Sequence, residues 1–181
     1  GQMEMLVRTA TAWYVWEWNG NNWTEAAELP DTNANINGSG PPVCAVGDLD
    51  ADGRPEVWFG DYDGNVYAYE HVSGNDYQQV HYIGQVQQIA ASNYLRIADF
   101  DGDGLSEVLV ASHSPNLRNN DFEYDPQYFT LQLLKGTGNN SFDVVWRDYF
   151  YNIFSTTYNA LTAANLDGDA ASEAIFSCYP R

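Results

Sequence analysis

The sequence predicts an all-β protein assembled from repeated four-stranded antiparallel units. Three observations carry that expectation. A nine-residue acidic loop occurs three times, an apolar run follows each copy, and the stretches between copies have the outline of β-hairpins. The loops start at residues 48, 99 and 165, so they lie 51 and 66 residues apart. Spacings of this order belong to the blades of a β-propeller or a similar array.

The loop is the first element. It reads Asp48-Leu49-Asp50-Ala51-Asp52-Gly53-Arg54-Pro55-Glu56, then Asp99-Phe100-Asp101-Gly102-Asp103-Gly104-Leu105-Ser106-Glu107, then Asn165-Leu166-Asp167-Gly168-Asp169-Ala170-Ala171-Ser172-Glu173. Side-chain oxygens at loop positions 1, 3, 5 and 9 can converge on one hard cation. The position-7 carbonyl, from Arg54, Leu105 or Ala171, can add another. Calcium accepts roughly six to eight oxygens in a loose geometry and suits such a loop better than magnesium. The expected cofactor is therefore Ca2+, with about two to three ions for three loops. An EF-hand is excluded. It needs a bidentate Glu at position 12 between two helices, whereas position 12 here is Phe59, Val110 or Phe176.

The remaining elements are strands. Each position-9 acid opens an apolar run: Glu56-Val57-Trp58-Phe59-Gly60, Glu107-Val108-Leu109-Val110-Ala111 and Glu173-Ala174-Ile175-Phe176-Ser177. A small residue precedes each loop, namely Gly47, Ala98 and Ala164. Hairpins are expected around Asn19–Asn22, Ser73–Asn75 and Gly136–Asn139, because Asn and Gly accept the positive φ angles of tight turns. Each unit then runs strand A, acidic loop, strand B, connection, strand C, turn, strand D, a four-stranded antiparallel blade. The chain divides into strands B–D of one blade (1–41), two whole blades (42–93 and 94–159) and strands A–B of another (160–181), about three and a half blades.

The triplicated loops, their strand flanks and the Gly60-Asp61-Tyr62-Asp63-Gly64-Asn65 turn resemble the FG-GAP/VCBS repeat superfamily. The resemblance implies calcium-binding propeller blades of the kind found in integrin α-subunit heads and secreted bacterial proteins. Its members include adhesion modules, polysaccharide lyases and surface proteins, so the fold leaves the function open. This chain departs from the pattern in carrying Glu at every position 9, Asn165 at position 1 of the third loop, and Ala170 at position 6. The third site is expected to be the weakest.

Composition sets outer limits. A formal charge of −18 over 181 residues leaves no basic stripe for phosphates, which argues against nucleic acid. No run is long and apolar enough to insert in a membrane. Cys44 and Cys178 are the only cysteines and are expected to be buried thiols. Extracellular calcium fills moderate-affinity loops, so the expected location is extracellular, cell-surface or periplasmic.

Alternating strand directions separate two faces. The acidic loops and hairpin turns share one face. The long connections Pro30–Pro41, Ile83–Asn93, Ser112–Gln127 and Tyr149–Asn159 share the other, where functional loops are expected. Tyr14, Trp16 and Trp18 alternate along one strand and are expected to pack between blades. Trp13, His113, Arg118, Tyr124 and Tyr158, near the long-loop face, are the candidate ligand contacts. The leading expectation is a calcium-stabilised extracellular recognition or adhesion module. Its partners would be a glycan or protein ligand, and further propeller blades from additional sequence or another chain. One alternative is an accessory or catalytic part of a secreted polysaccharide lyase, with His113 or Tyr124 as base and Arg118 as clamp. Nothing else completes a catalytic set. The other alternative is a structural subunit of an extracellular assembly.

Overall fold

The computed structural model describes residues 3–9, 12–31, 43–60, 65–83, 92–114, 128–151 and 160–177. Thirteen strands form among them, and all pair antiparallel. The first sheet is β1 (Glu4–Arg8), β2 (Ala12–Trp18) and β3 (Trp23–Pro30). The second is β4 (Cys44–Gly47), β5 (Glu56–Gly60), β6 (Val66–Ser73) and β7 (Asp76–Ile83). The third is β8 (Ser92–Ala98), β9 (Glu107–Ser114), β10 (Tyr128–Gly138) and β11 (Ser141–Tyr151), and the fourth is β12 (Ala160–Ala164) with β13 (Glu173–Ser177). Strands follow one another in sequence order across every sheet, the meander expected of the repeat.

The turns explain the pairing. Asn19 Oδ1 accepts from the backbone N–H groups of Asn21 (3.0 Å) and Asn22 (2.9 Å), closing the β2–β3 hairpin. Gly74 (φ 56°) and Asn140 (φ 54°) supply left-handed residues for the β6–β7 and β10–β11 turns. The last turn is Asn139-Asn140, later than Gly136–Asn139, because Gly136 and Gly138 remain in β10. Each of these hairpins also carries a register shift, at Val15/Trp16, Ala68/Tyr69 and Leu133/Leu134. The shifts leave one extra residue, Ala26, Val80 or Val145, on the fourth-type strand, which bends it.

Three apolar cores lie between consecutive sheets. Trp13, Val15 and Leu29 meet Val57, Phe59, Tyr67 and Tyr69 between the first and second. Trp58, Val66 and Ala68 meet Leu95, Val108, Val110, Leu134 and Phe142 between the second and third. Leu109, Ala111 and Leu131 meet Leu161 and Phe176 between the third and fourth. The two-residue side-chain period produces this sorting: Val57 and Phe59 leave one side of β5 while Trp58 leaves the other. Hence β5 is buried along its whole length. Within this stack β4 lies against β8, and β8 against β12. His81 fills the middle core edge-on to Phe142 and tilted against Trp58, a packing role, and burial pushes its imidazole below the usual range.

The first sheet turns one parity of β2 toward the second sheet. The inward face of β2 is Trp13 and Val15, not Tyr14, Trp16 and Trp18, which are half-buried on the opposite face. Aromatics occur at both parities of this strand. The aromatic wall offered by Phe59, 6.1 Å from Trp13, selects the odd-numbered set.

Candidate metal centre

Each acidic loop joins the first two strands of its sheet: β4 to β5, β8 to β9, β12 to β13. The three share one set of side-chain-to-backbone bonds. The position-9 glutamate reaches back to the position-2 N–H, at 2.9 Å for Glu56 to Leu49, 2.8 Å for Glu107 to Phe100 and 2.6 Å for Glu173 to Leu166. The position-3 aspartates Asp50, Asp101 and Asp167 accept from the position-5 N–H, at 3.2, 3.2 and 3.1 Å. The position-5 aspartates Asp52, Asp103 and Asp169 accept from the N–H of Arg54, Leu105 and Ala171, at 2.9, 2.9 and 2.8 Å. Each of these carboxylates is thus held in place by a backbone donor. The carboxylates converge as Asp48, Asp50 and Glu56; as Asp99, Asp101, Asp103 and Glu107; and as Asp167, Asp169 and Glu173.

Position 4 is left-handed in every copy, with φ of 60° at Ala51, 77° at Gly102 and 84° at Gly168. Ala51 alone carries a Cβ in that conformation. Ala51→Gly is expected to raise stability by about 0.5–1 kcal/mol, seen as a small upward shift in the denaturant midpoint. The strain therefore falls on Ala51 rather than on Ala170. Gly53 and Gly104 at position 6 have positive φ and donate to Asp48 (2.9 Å) and Asp99 (2.8 Å), but Ala170 does not adopt positive φ. Two changes coincide here: the Cβ of Ala170 disfavours positive φ, and Asn165 replaces an aspartate. The Asn165 Nδ2 cannot accept and instead donates to the Asp169 carbonyl, so the third loop takes another course. All three acids of that loop are also more exposed than Glu56 and Glu107.

The first loop tests the fit to a cation. Glu56 is fully buried, and its Oε1 has no hydrogen-bond partner. Glu70 lies directly across from Glu56 in the β5–β6 register, is 2 % exposed, and converges with Asp50 and Asp52. Its Oε1 accepts from Arg54 at 3.2 Å, while its Oε2 has no hydrogen-bond partner. Two buried carboxylate oxygens without donors, both beside Asp50, form a donor set of the hard, anionic kind calcium takes. Burial pushes the Glu56 carboxyl up to about 7, with Asp50 and Asp48 adding to the push and the Leu49 N–H opposing it. Glu70 escaped the sequence reading because it lies far along the chain. Its signal is the residue facing position 9 across the sheet.

A neighbouring hairpin clasps this loop. The Asn140 N–H donates to Asp50 Oδ2 at 2.6 Å, and Asn139 Nδ2 to Asp52 Oδ2 at 2.9 Å. The β10–β11 turn thus shares the face of the acidic loops, as strand alternation requires. In the second loop, Lys135 Nζ donates to Asp101 Oδ2 (2.5 Å) and Asp103 Oδ2 (2.7 Å) and lies 3.1 Å from Glu107 Oε1. These bonds hold the Lys135 ammonium well above its usual range, Asp101 first and Asp103 next. They also hold the Asp103 carboxyl below its own, together with the Leu105 N–H. The second and third loops touch: Ser172 N–H donates to the Asp99 carbonyl at 2.7 Å, and Gly102 lies against Ala170 and Ala171.

Of the ligand candidates, Trp13 and His113 fall among the described residues. Trp13 is 3 % exposed in the core between the first two sheets, so it cannot serve as a surface platform. His113 lies in β9, opposite Phe129, so the insertion begins after Ser114 rather than at Ser112. Arg118, Tyr124 and Tyr158 lie outside the described residues, as do Cys178 and the Asp61–Gly64 part of the turn. Cys44 is a half-buried free thiol whose pKa burial raises. A groove of about 490 Å³ between the first two sheets, lined by Leu6, Val15, Val46, Val57, His71 and Tyr77 among others, was not anticipated. Among the described residues no helix is long and apolar enough to cross a membrane.

Sequence comparison matches the FG-GAP-like repeat at residues 1–59 and again at 48–110. The chain belongs to that family: an all-β repeat protein built on antiparallel meander sheets and acidic loops. The first match contains the first sheet and the first acidic loop and ends in β5, and the second begins at that same loop and ends in β9, just past the second acidic loop. No curated protein and no solved structure matches the chain.

Proposed function

We propose that this chain is a calcium-stabilised segment of a β-propeller, serving extracellular recognition or adhesion. The observation that carries the metal reading is the pair of buried, donorless carboxylate oxygens of Glu56 and Glu70 beside Asp50. A propeller is supported by face-to-face sheets with one core between each pair, and by the first strands β4, β8 and β12 lying side by side. Further blades, from additional sequence or another chain, would pair along β1 and β13, whose outer edges have no strand among the described residues. Repeats of this family are commonly extracellular adhesion or recognition modules, and millimolar calcium there matches an all-oxygen site. The ligand would be a glycan or a protein met by the long connections opposite the metal loops. Calcium would stiffen one face while the other binds.

Calorimetric titration with calcium, with thermal melts and solution mass at both end points, tests this reading. Two or three ions are expected, by the count of loops. A site filled to a hundred times its Kd contributes about 2.7 kcal/mol, roughly 5–11 °C for a chain of this size. Asp50→Ala should remove one ion and shrink the shift produced by a chelator. A variant with unchanged stoichiometry and melting temperature would overturn the metal role. A larger mass in calcium would identify another chain as the source of the missing blades.

A further inference from the structure

The first two acidic loops have the same backbone frame but opposite charge at one position. The residue facing the position-9 glutamate is Glu70 across from Glu56, and Lys135 across from Glu107. The first loop thereby has five acids, Asp48, Asp50, Asp52, Glu56 and Glu70, against one base, Arg54, that points at Glu70. The second has four acids and receives Lys135.

The Lys135 ammonium contacts the carboxylates of positions 3, 5 and 9, the groups that would ligate a cation there. An ammonium has three donors, and three carboxylates meet it. Glu56 Oε1 and Glu107 Oε1 belong to completely buried side chains and neither makes a hydrogen bond, but Glu107 Oε1 has the ammonium 3.1 Å away as an ion-pair partner, and Glu56 Oε1 has no ion pair among the described residues. The chain thus contains its own comparison: where a lysine faces position 9 a buried carboxylate oxygen is neutralised, and where a glutamate faces it the oxygen is left for an external cation.

We infer that Lys135 is a tethered counter-ion that occupies the second loop and that calcium must displace. The two loops therefore fill in order, the first at lower calcium and the second only when the ion concentration is high enough to expel the ammonium. The inference rests on the calcium reading of the first loop. It predicts a graded response from a repeat whose loops otherwise look alike, with Lys135 setting the upper threshold.

The test is calcium titration of the full chain by calorimetry, comparing wild type, Lys135→Met, Asp50→Ala and the double variant. Lys135→Met retains the length of the side chain and removes the charge. It should tighten the weaker site by about tenfold or more while leaving the tighter one unchanged, and the double variant should retain the tightened site. Identical wild-type and Lys135→Met isotherms, each with bound calcium, would overturn the lysine proposal and leave the calcium reading standing. No calcium binding by any variant would overturn both. Should Lys135→Met fail to fold, the wild-type Lys135 15Nζ signal provides the readout. Its ammonium protons should be protected from solvent exchange in chelator and lose that protection at saturating calcium. Protection unchanged by saturating calcium would overturn the displacement.

Discussion

Gly136→Ala should lower the stability of the protein by about 3 kcal/mol, and its thermal midpoint by roughly 6–12 °C, whereas Gly138→Ala should leave both nearly unchanged. A Cβ on Gly136 would lie 2.3 Å from the Leu49 carbonyl oxygen and 2.9 Å from the Asp50 Cα. Both are backbone atoms of the first acidic loop and cannot rotate aside. At Gly138 the nearest atom, Ser141 Cβ, is 4.0 Å away. The two substitutions are chemically identical and two residues apart in one strand, so propensity cancels between them. The displaced hairpin also carries the Asn140 N–H that meets Asp50, so calcium affinity at the first loop should fall with stability. Equal melting temperatures for the two variants would mean that the hairpin does not clasp the loop in solution.

Glu56→Gln should have effects of opposite sign with and without calcium. Glu56 is raised from 4.5 to about 7 in the fold by burial. Below about 4.5 the carboxyl is neutral in both folded and unfolded chains and adds no penalty. Above that the unfolded chain ionises first, so the calcium-free fold loses stability as pH rises through 7 and levels off beyond it. Glutamine removes this slope. In chelator at pH 8 the variant should be more stable by about 2 kcal/mol, while in millimolar calcium it should be the less stable protein because a charged ligand is gone. Calcium binding by the wild type at pH 6 should release protons, measured as a buffer-dependent heat, and the variant should release fewer. A variant less stable than wild type under both conditions would show that Glu56 acts through packing alone.

Much of the fold could be read from the chain because the repeat states it three times. The Asp-rich loops, the apolar runs after them and the Asn/Gly turns fix strand order without long-range information, and the meander sheets follow. What could not be read was set by contacts across sheets. The choice of Trp13 over Trp16 as the buried parity of β2 depends on Phe59 in the next sheet. The register shifts opposite Ala26, Val80 and Val145 have no local signature. Within the site, positions 1 to 9 are contiguous and were legible, but Glu70 and Lys135 enter from a later strand. Their relation to position 9 is visible only by counting back from each hairpin turn, and a bulge spoils that count unless its place is known.

The clasp on the first loop has a consequence for the order in which the molecule matures on the ribosome. Asp50 and Asp52 are synthesised early, but Asn140 and Asn139, which hold them respectively, follow 90 and 87 residues later. A nascent chain that has emerged only as far as β9 carries a complete set of acids on a loop still lacking its brace. The two contacts that brace the first loop can form only once the following repeat has been delivered, so that loop is completed after its own sheet has been synthesised.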